Sequence, residues 1–347
     1  MKTADVAVVG EDRRDPSRPR AWPPGASVLL FDHTHPREKP CGGGISASAR
    51  RAFPEIEELV PLGKTGTRLR IAAPSGRTVS VTGDGATFAI DRAVFDAALF
   101  DRAVKLGATP IRERVSNLRR DDGAWVLETG SGPRCARVMI GADGVASLVR
   151  RRLIGRADLK HAALGAHVLV DRLESPSALV RFFGDRRGYA WVFNRRERSS
   201  IGVGMPLDRR NGWQLALAKF FTEQAPGRAM PPVVSWTLPL ARGEEAFAER
   251  MAGDDWCVVG DAAGHVDPLT GEGIYYAMWG AEIAAQCVLA GRPGDYEPRW
   301  REAYLPVFLR HARTARHLEH RRRIELLVAA GSVPFLGRRI YASMTSG

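Results

Sequence analysis

The chain has 347 residues, of which 44% are hydrophobic and 26% are charged, and this is enough for two globular domains with sizeable cores. The net charge of +12 favours anionic partners or reflects an arginine-rich genome, and because no zinc-finger or RNA-binding signature accompanies it, we expect no nucleic-acid partner. The four cysteines fit neither a disulfide framework nor paired zinc spacing, and the eight histidines show no ligand spacing, so we also expect no metal.

The first predicted elements outline a βαβ nucleotide-binding unit with an abnormal centre. Asp5–Val9 and Ser27–Phe31 are apolar strand patterns, the first followed by Gly10 and the second by Asp32. An acid in the latter position can accept hydrogen bonds from both hydroxyls of an adenosine ribose, although it is also a common cap or turn residue. The intervening segment 11–24 has neither the glycine-rich turn nor the helical period that a pyrophosphate site requires.

Two interpretations of segment 11–24 remain open. The first is a local frameshift, real or a sequencing error: for suitable codons, a one-base shift gives Gly-Gly-Pro-Ala-Gly-Pro after Gly10 and Leu-Ala-Ala before Gly25. The second is a natural divergent loop. We expect the segment as written to bind a dinucleotide poorly, because it lacks the amides that cradle pyrophosphate and because Glu11 and Asp12 would repel the phosphates.

The middle of the chain alternates between helical and strand patterns. The predicted elements up to the first long helix are a helix near Ser46–Phe53, strands over Thr67–Ala72 and Thr78–Thr82, and a helix over Asp91–Leu106 with an acidic N-cap. Strands then continue to Ile140. From Ala163 to Leu238 the pattern is mostly strand, interrupted by one helix over Gly212–Thr222, which predicts a largely antiparallel sheet.

The last third begins with a short apolar strand, Trp256–Val259, followed by small residues. Apolar positions then recur every three or four residues from Ile274 to Val288, which predicts a helix packed on one face. The tail from Tyr296 is predicted to be helical and basic, with an interruption at Gly331–Pro334.

Two glycine motifs follow predicted strands. "GADG" places Asp143 between glycines, where it could orient amides or ribose oxygens, although such a pair is more often a plain turn. In "GDAAGHVDPLTGEGI", Gly260 and Asp261 precede a second glycine turn, Gly271–Gly273, that opens a helix at Ile274. Asp261 could bind ribityl hydroxyls, and the helix N-terminus could stabilise negative charge on the pyrimidine edge of a reduced flavin.

The order of these motifs, with "DRAVFD" at 91–96, resembles the FAD-dependent oxidoreductases of the p-hydroxybenzoate hydroxylase fold. Within that group, "KPCGGG" and "GYAWVF" resemble the geranylgeranyl reductase family, which reduces isoprenoid C=C bonds with FAD and usually NAD(P)H. The resemblance implies a mixed α/β (α+β) fold, in which a Rossmann-like FAD-binding domain is interleaved with an antiparallel-sheet substrate domain. The implied ranges are 1–66, 83–160 and 245–292 for the FAD-binding domain, 67–82 and 161–244 for the substrate domain, and 293–347 for a helical C-terminal region.

The resemblance also implies roles for individual residues. FAD contacts are implied for Gly10, Asp32, Arg92, Asp143, Gly260, Asp261, Gly271, Gly273 and Ile274, and a place beside the isoalloxazine for the loop Cys41, Gly42, Gly43 and Gly44. Tyr189, Trp191 and Phe193 match the aromatic substrate motif, although alternating aromatics are also a common core pattern. Asn194 replaces the proline that normally ends this motif, which alters the expected shape of the pocket. Cys41 and Tyr189 are the candidates for the proton donor.

Three functions remain open. The leading hypothesis is reduction of an isoprenoid or other apolar substrate by hydride transfer from flavin N5, with an acid supplying the proton. An aromatic monooxygenase of the same fold is the second, and a non-catalytic pseudoenzyme, suggested by segment 11–24, is the third. We expect a cytoplasmic protein, since no signal-peptide core or membrane-spanning run is recognisable, and its basic surface predicts peripheral contact with anionic membranes.

Overall fold

A computed structural model describes residues 2–10, 25–160, 162–174, 177–207, 212–240 and 249–331. Segment 11–24, with both of its interpretations, and the chain beyond Gly331 lie outside the described residues. In chain order the strands are β1 (Thr3–Val9), β2 (Val28–Phe31), β3 (Gly44–Ile45), β4 (Lys64–Ala72), β5 (Thr78–Ala89), β6 (Thr109–Ile111), β7 (Asn117–Asp121), β8 (Ala124–Glu128), β9 (Arg134–Gly141), β10 (Ala163–Asp171), β11 (Ser177–Phe182), β12 (Tyr189–Asn194), β13 (Arg198–Pro206), β14 (Val234–Leu238), β15 (Ala252–Gly253) and β16 (Trp256–Val258). The helices are α1 (Ala47–Ala52), α2 (Pro54–Glu58), α3 (Arg92–Lys105), α4 (Leu148–Leu153), α5 (Trp213–Gln224), α6 (Ile274–Leu289), α7 (Tyr296–His317) and α8 (Arg321–Gly331).

The first sheet has the strand order β15-β16-β9-β1-β2-β6, with the β7–β8 hairpin paired to β9. Its central strands are parallel, and their register places Val9 beside both Phe31 and Gly141, and Gly141 beside Val258. The carboxyl ends of four parallel strands therefore meet at one edge. In open α/β sheets this edge is where ligands bind.

The second sheet has the order β14-β10-β13-β12-β11-β4-β5-β3. Its pairs are antiparallel except for β11 and β4, which run parallel with Ser177 beside Arg68. One face is covered by α5, whose Phe220 and Phe221 pack in a cluster with residues such as Ile201. Because side chains alternate along a strand, the opposite face carries Tyr189, Trp191 and Phe193 and is free to line a site.

The helix predicted from Ile274 is confirmed as α6, but it is buried on nearly all sides, so the expectation that only one face packs was wrong. Small residues such as Ala277, Ala281 and Ala284 pack inward, and residues between them such as Met278 and Ile283 are also buried. Helix α7 also covers α6, because its Trp300 and Phe308 belong to the same hydrophobic core as the buried residues of α6. A helix covered from both sides is apolar all round, which the three-and-four spacing alone does not reveal.

Other element boundaries differ from the predicted ones for tertiary reasons. Strand β5 continues past Thr82 to Ala89, because its second half pairs with the start of β4 and with β3. Asp91 does stand at the N-cap of α3, but its carboxylate caps no helix amide and instead accepts from Arg195 and Arg198. None of the described helices combines the length and the apolar character that crossing a membrane requires. The domain boundaries stay a prediction.

Candidate functional site

A cavity of about 340 Å³ lies between two glycine loops and the inner face of the second sheet. The loops are Cys41–Gly44 and Leu269–Gly273, and α6 begins directly after the second one. Of the residues predicted for the site, the structure brings ten to this cavity: Cys41, Gly42, Gly43, Gly44, Tyr189, Trp191, Phe193, Gly271, Gly273 and Ile274. An apolar cavity with a few convergent polar groups is typical of a small-molecule site.

The first glycine loop packs directly on the aromatic strand. A Cβ atom on Gly42 would lie 2.9 Å from the Phe193 ring and 3.1 Å from Trp191 Nε1. Gly43 has φ of +80°, and its Cβ would lie 2.6 Å from the carbonyl oxygen of Ile90. Glycine is therefore required here both for the backbone conformation and for the close approach.

Arg195 holds the Cys41 loop in place from the end of β12. Its side chain is fully buried and donates to the Cys41 carbonyl oxygen at 2.6 Å, to Glu38 at 2.5 Å and to Asp91 at 2.9 Å. Arg198 donates to the same two carboxylates. This charged cluster fastens the turn between β12 and β13 to the loop beside the cavity, and charge-assisted bonds of this kind are among the strongest in proteins.

The Cys41 thiol is made more acidic by its neighbours. Burial by itself raises the pKa of Cys41, but the charge of Arg92, the N–H of Gly43 and the charge of Arg195 together lower it below its ordinary value. The Gly43 N–H lies 3.4 Å from Cys41 Sγ. A partly exposed thiol in a positive environment is typical of a reactive rather than a structural cysteine.

The hydroxyl group of Tyr189 has the opposite character. It donates its proton to the carbonyl oxygen of Thr270 at 2.6 Å, and burial, with the nearby charges of Asp267 and Cys41, raises its pKa above the ordinary tyrosine value. Tyr189 therefore lines the cavity while its hydroxyl proton is hydrogen-bonded to the second glycine loop. This makes it a poorer acid than Cys41.

Trp191 is fixed from behind by a polar pair within the sheet. Its Nε1 donates to Ser200 Oγ at 3.0 Å, and the same oxygen lies 2.8 Å from His167 Nδ1. Burial, reinforced by the charges of Arg195 and Arg198, lowers the pKa of His167 to about 3, so the ring is neutral at physiological pH. The Trp236 ring packs edge-on against the rings of His167 and Trp191, which fixes the side of the cavity that Trp191 and Trp236 line.

The second glycine loop is organised by a buried carboxylate, Asp267. One of its oxygens accepts from the N–H groups of Leu269 and Thr270, and the other lies 2.5 Å from His311 Nδ1 on α7. The loop ends at Gly273, the N-cap of α6, and no described side chain caps the first-turn amides of that helix. Such amides carry partial positive charge and suit an anionic group.

A second, much smaller cavity, of about 20 Å³, lies at the edge where the parallel strands end. It is lined by Gly10, Asp32 and Ala142, the neighbour of Asp143, together with His35 and Asp96. Asp32 Oδ1 accepts from the N–H and hydroxyl of Thr34, which leaves Oδ2 at 4.0 Å from His35 Nδ1.

The four other predicted residues line neither cavity. Arg92 is buried and donates hydrogen bonds to both carboxylate oxygens of Asp96. Burial by itself lowers the pKa of Arg92, but the Asp96 carboxylate and the Cys41 sulfur raise it above its ordinary value. The Asp143 carboxylate accepts hydrogen bonds from Ser147 Oγ and from the first amides of α4, so it stabilises the turn between β9 and α4. Gly260 and Asp261 form a buried 3₁₀ turn after β16. Their contacts with FAD stay a prediction.

The residues present fit an FAD molecule at both of its ends. The ribose end would contact Asp32 at the edge where the parallel strands end. The ring end would lie between the Cys41–Gly44 loop, where a Cβ on Gly42 or Gly43 would clash, and the uncapped N-terminus of α6. The segment expected to contact the pyrophosphate, 11–24, is outside the described residues.

Comparison with known proteins decides the family. The chain is 31% identical over 298 residues to geranylgeranyl diphosphate reductase of Rhodobacter capsulatus, covering 78% of this chain and 72% of that protein. The chain belongs to the geranylgeranyl reductase family of FAD-dependent oxidoreductases. It is also 31% identical to digeranylgeranylglycerophospholipid reductase 1 of Methanopyrus kandleri, with 82% of each chain covered. No family model matches the chain.

Solved structures confirm the predicted fold class of this geranylgeranyl reductase family member. A geranylgeranyl bacteriochlorophyll reductase-like protein from Thermoplasma acidophilum superposes with a TM-score of 0.81 at 20% identity, covering 99% of this chain and 96% of that one. A point mutant of halogenase PltM in complex with FAD gives 0.73 at 15% identity, covering 100% and 84%. These likenesses concern the fold alone.

Proposed function

We propose that this protein reduces C=C bonds in an isoprenoid chain, with FAD as cofactor and NAD(P)H as the source of electrons. The observation that carries the proposal is the apolar cavity that joins the Cys41–Gly44 loop, the α6 N-terminus and the aromatic residues of β12. Family membership supports the reaction class, and the cavity supports an apolar substrate.

The residues that would hold the cofactor are Asp32 at the ribose end, the Cys41–Gly44 loop beside the ring system and the amides at the start of α6. Bound reduced FAD supplies a hydride, which is chemistry that no protein side chain provides. The amides at the positive end of α6 would stabilise the negative charge of a reduced flavin.

Cys41 is the proposed proton donor to the second alkene carbon. It lines the cavity with a lowered pKa, whereas the Tyr189 hydroxyl has a raised pKa and donates to Thr270. Arg92 and Arg195 would stabilise the thiolate left after proton transfer. Tyr189, Trp191 and Phe193 would position the alkene and exclude water, because an unactivated double bond accepts hydride only when it is held tightly.

The first test is the visible spectrum of the purified chain as written, compared with a version in which Gly-Gly-Pro-Ala-Gly is restored after Gly10. Flavin in the restored protein alone supports the cofactor assignment and identifies segment 11–24 as a lesion. Flavin in both makes the segment a tolerated variant. Two folded proteins without flavin would refute the enzyme assignment and favour a pseudoenzyme.

Reaction type is tested with the flavin-loaded protein and geranylgeraniol under anaerobic conditions. A product heavier by two hydrogens for each reduced bond, formed with consumption of NAD(P)H, is the expected result. NAD(P)H oxidation that requires oxygen and is stimulated by a phenol would instead identify an aromatic monooxygenase.

The proposal extends to peripheral contact with anionic membranes, where prenyl lipids reside. Helix α8 begins with Arg321–Arg323 and exposes Leu326, so basic and apolar side chains share one surface element. We expect sedimentation with vesicles containing phosphatidylserine at low salt and release at high salt. Equal binding to neutral vesicles would contradict an electrostatic attachment.

A further inference from the structure

Helix α8 lies on the same face of the second sheet as the cavity. Leu69 and Ile71 of β4, like Val180 and Phe182 of β11, point to one side because they are two residues apart, and all four line the cavity. Ile71 and Phe182 also pack against the hydrophobic cluster formed by Ala73 and by Ile324 and Val328 of α8. Two side chains are therefore shared between the cavity and the helix.

The helix crosses the ends of the strands in a defined position. At its start, a Cβ on Gly184 would lie 3.6 Å from Arg321 Cδ, and at its end Gly331 lies against Val79. In between, Glu325 accepts from both the N–H and the hydroxyl of Ser75 at 2.7 and 2.6 Å. Helix α8 is therefore held against the loop that follows β11, the turn between β4 and β5, and β5 itself.

The two ends of the cavity differ in chemistry. Along β4 the lining runs from Lys64 and Thr65 at one end to Ile71 at the other, a span of roughly 23 Å at the rise of an extended strand. A charged and a hydroxyl side chain stand at the first end, and apolar side chains backed by α8 stand at the second. A prenyl chain with a polar head group would place its apolar end toward α8.

We propose that α8, acting through Ile71 and Phe182, is the end wall of the cavity and sets the length of the apolar chain that fits. The inference rests on the proposed function only for the identity of the ligand as a prenyl chain. It makes Phe182 a specificity-determining residue and Ile324 a residue that acts through it.

The test measures binding of prenyl alcohols with two, three, four and five isoprene units by the fluorescence of Trp191 and Trp236, which line the cavity. Flavin and turnover are not needed for this signal. In Phe182→Ala we expect the ratio of affinities for the five-unit over the three-unit alcohol to rise at least about tenfold, as for pockets that discriminate single methylenes. Ile324→Ala should shift the ratio in the same direction by less.

The matched control is Leu179→Ala, which removes a buried side chain from the same strand on the face covered by α5. An unchanged ratio in both folded cavity variants, or an equal shift in the control, would overturn the end-wall proposal. Turnover of the same alcohols separates the two proposals. A length shift without any reduction refutes the proposed function alone, and reduction without a length shift refutes the end wall alone.

Discussion

Replacing Arg195 by methionine tests whether one buried cation both fastens the Cys41 loop and makes its thiol acidic. Methionine keeps most of the apolar volume and removes the charge and the donors. The variant loses the bonds to Glu38, Asp91 and the Cys41 carbonyl oxygen. Arg196→Met is the matched control, because this neighbouring side chain is 58% exposed whereas that of Arg195 is 0% exposed.

Two effects are expected from Arg195→Met. Breaking a buried ion pair by removing one partner costs about 3–5 kcal/mol, and we expect the lower end because Arg198 still donates to Asp91 at 2.6 Å. The pKa of Cys41 should rise, since the charge of Arg195 is among the causes that lower it. The control should change the free energy of unfolding by less than about 1 kcal/mol, as is usual for exposed pairs.

The assay for Arg195→Met combines urea unfolding with the pH dependence of Cys41 alkylation, followed by peptide mass spectrometry. Mapping separates Cys41 from Cys135, the other partly exposed cysteine. We expect the midpoint of the alkylation profile to move to higher pH in Arg195→Met and to stay in place in the control. A folded Arg195→Met protein with an unchanged midpoint would refute the electrostatic role of this arginine.

Three further predictions follow from single contacts. Gly43→Ala should lower the free energy of unfolding by about 1–3 kcal/mol more than Gly76→Ala in urea titrations, because both have positive φ but only Gly43 also faces a Cβ clash. The folded-state pKa of His167 is about 3, below its ordinary 6.5, so its contribution to the free energy of unfolding should be fully present above pH 6.5. As the pH falls toward 3, the free energy of unfolding should decrease by up to about 1.4 kcal/mol per pH unit, and urea titrations of His167→Gln should show a shallower slope. Cys41→Ala should reduce kcat about 10²-fold or more, as expected for loss of a general acid, while Tyr189→Phe should cost less than tenfold in steady-state turnover. The reverse order of these two variants would assign the proton to Tyr189.

Local patterns predicted the helices well because their signals are local. Helix α3 was predicted to within one residue at each end, since apolar spacing and Gly107 define it, and α5 began one residue later than predicted. The glycine loops were recognisable for the same reason. Strand pairing was harder, because nothing near β4 in the sequence indicates that its parallel partner is β11.

The residues that support the site were not predictable from the sequence. Arg195 stands in a run of charged residues, and only the fold distinguishes it from Arg196 by bringing Glu38, Cys41 and Asp91 to it from distant positions. The Asp267–His311 pair likewise joins a loop to a helix that follows much later in the chain. Long-range partners of this kind leave no spacing signal.

The parallel pairing of β11 with β4 has a consequence for how the protein is made. Strand β4 leaves the ribosome about a hundred residues before its partner, and β1 waits similarly long for β9. Neither sheet can close during early synthesis, so unpaired apolar edges persist, and folding should be slow and sensitive to aggregation. For the same reason, no single cut of the gene would release either sheet with all of its described strands.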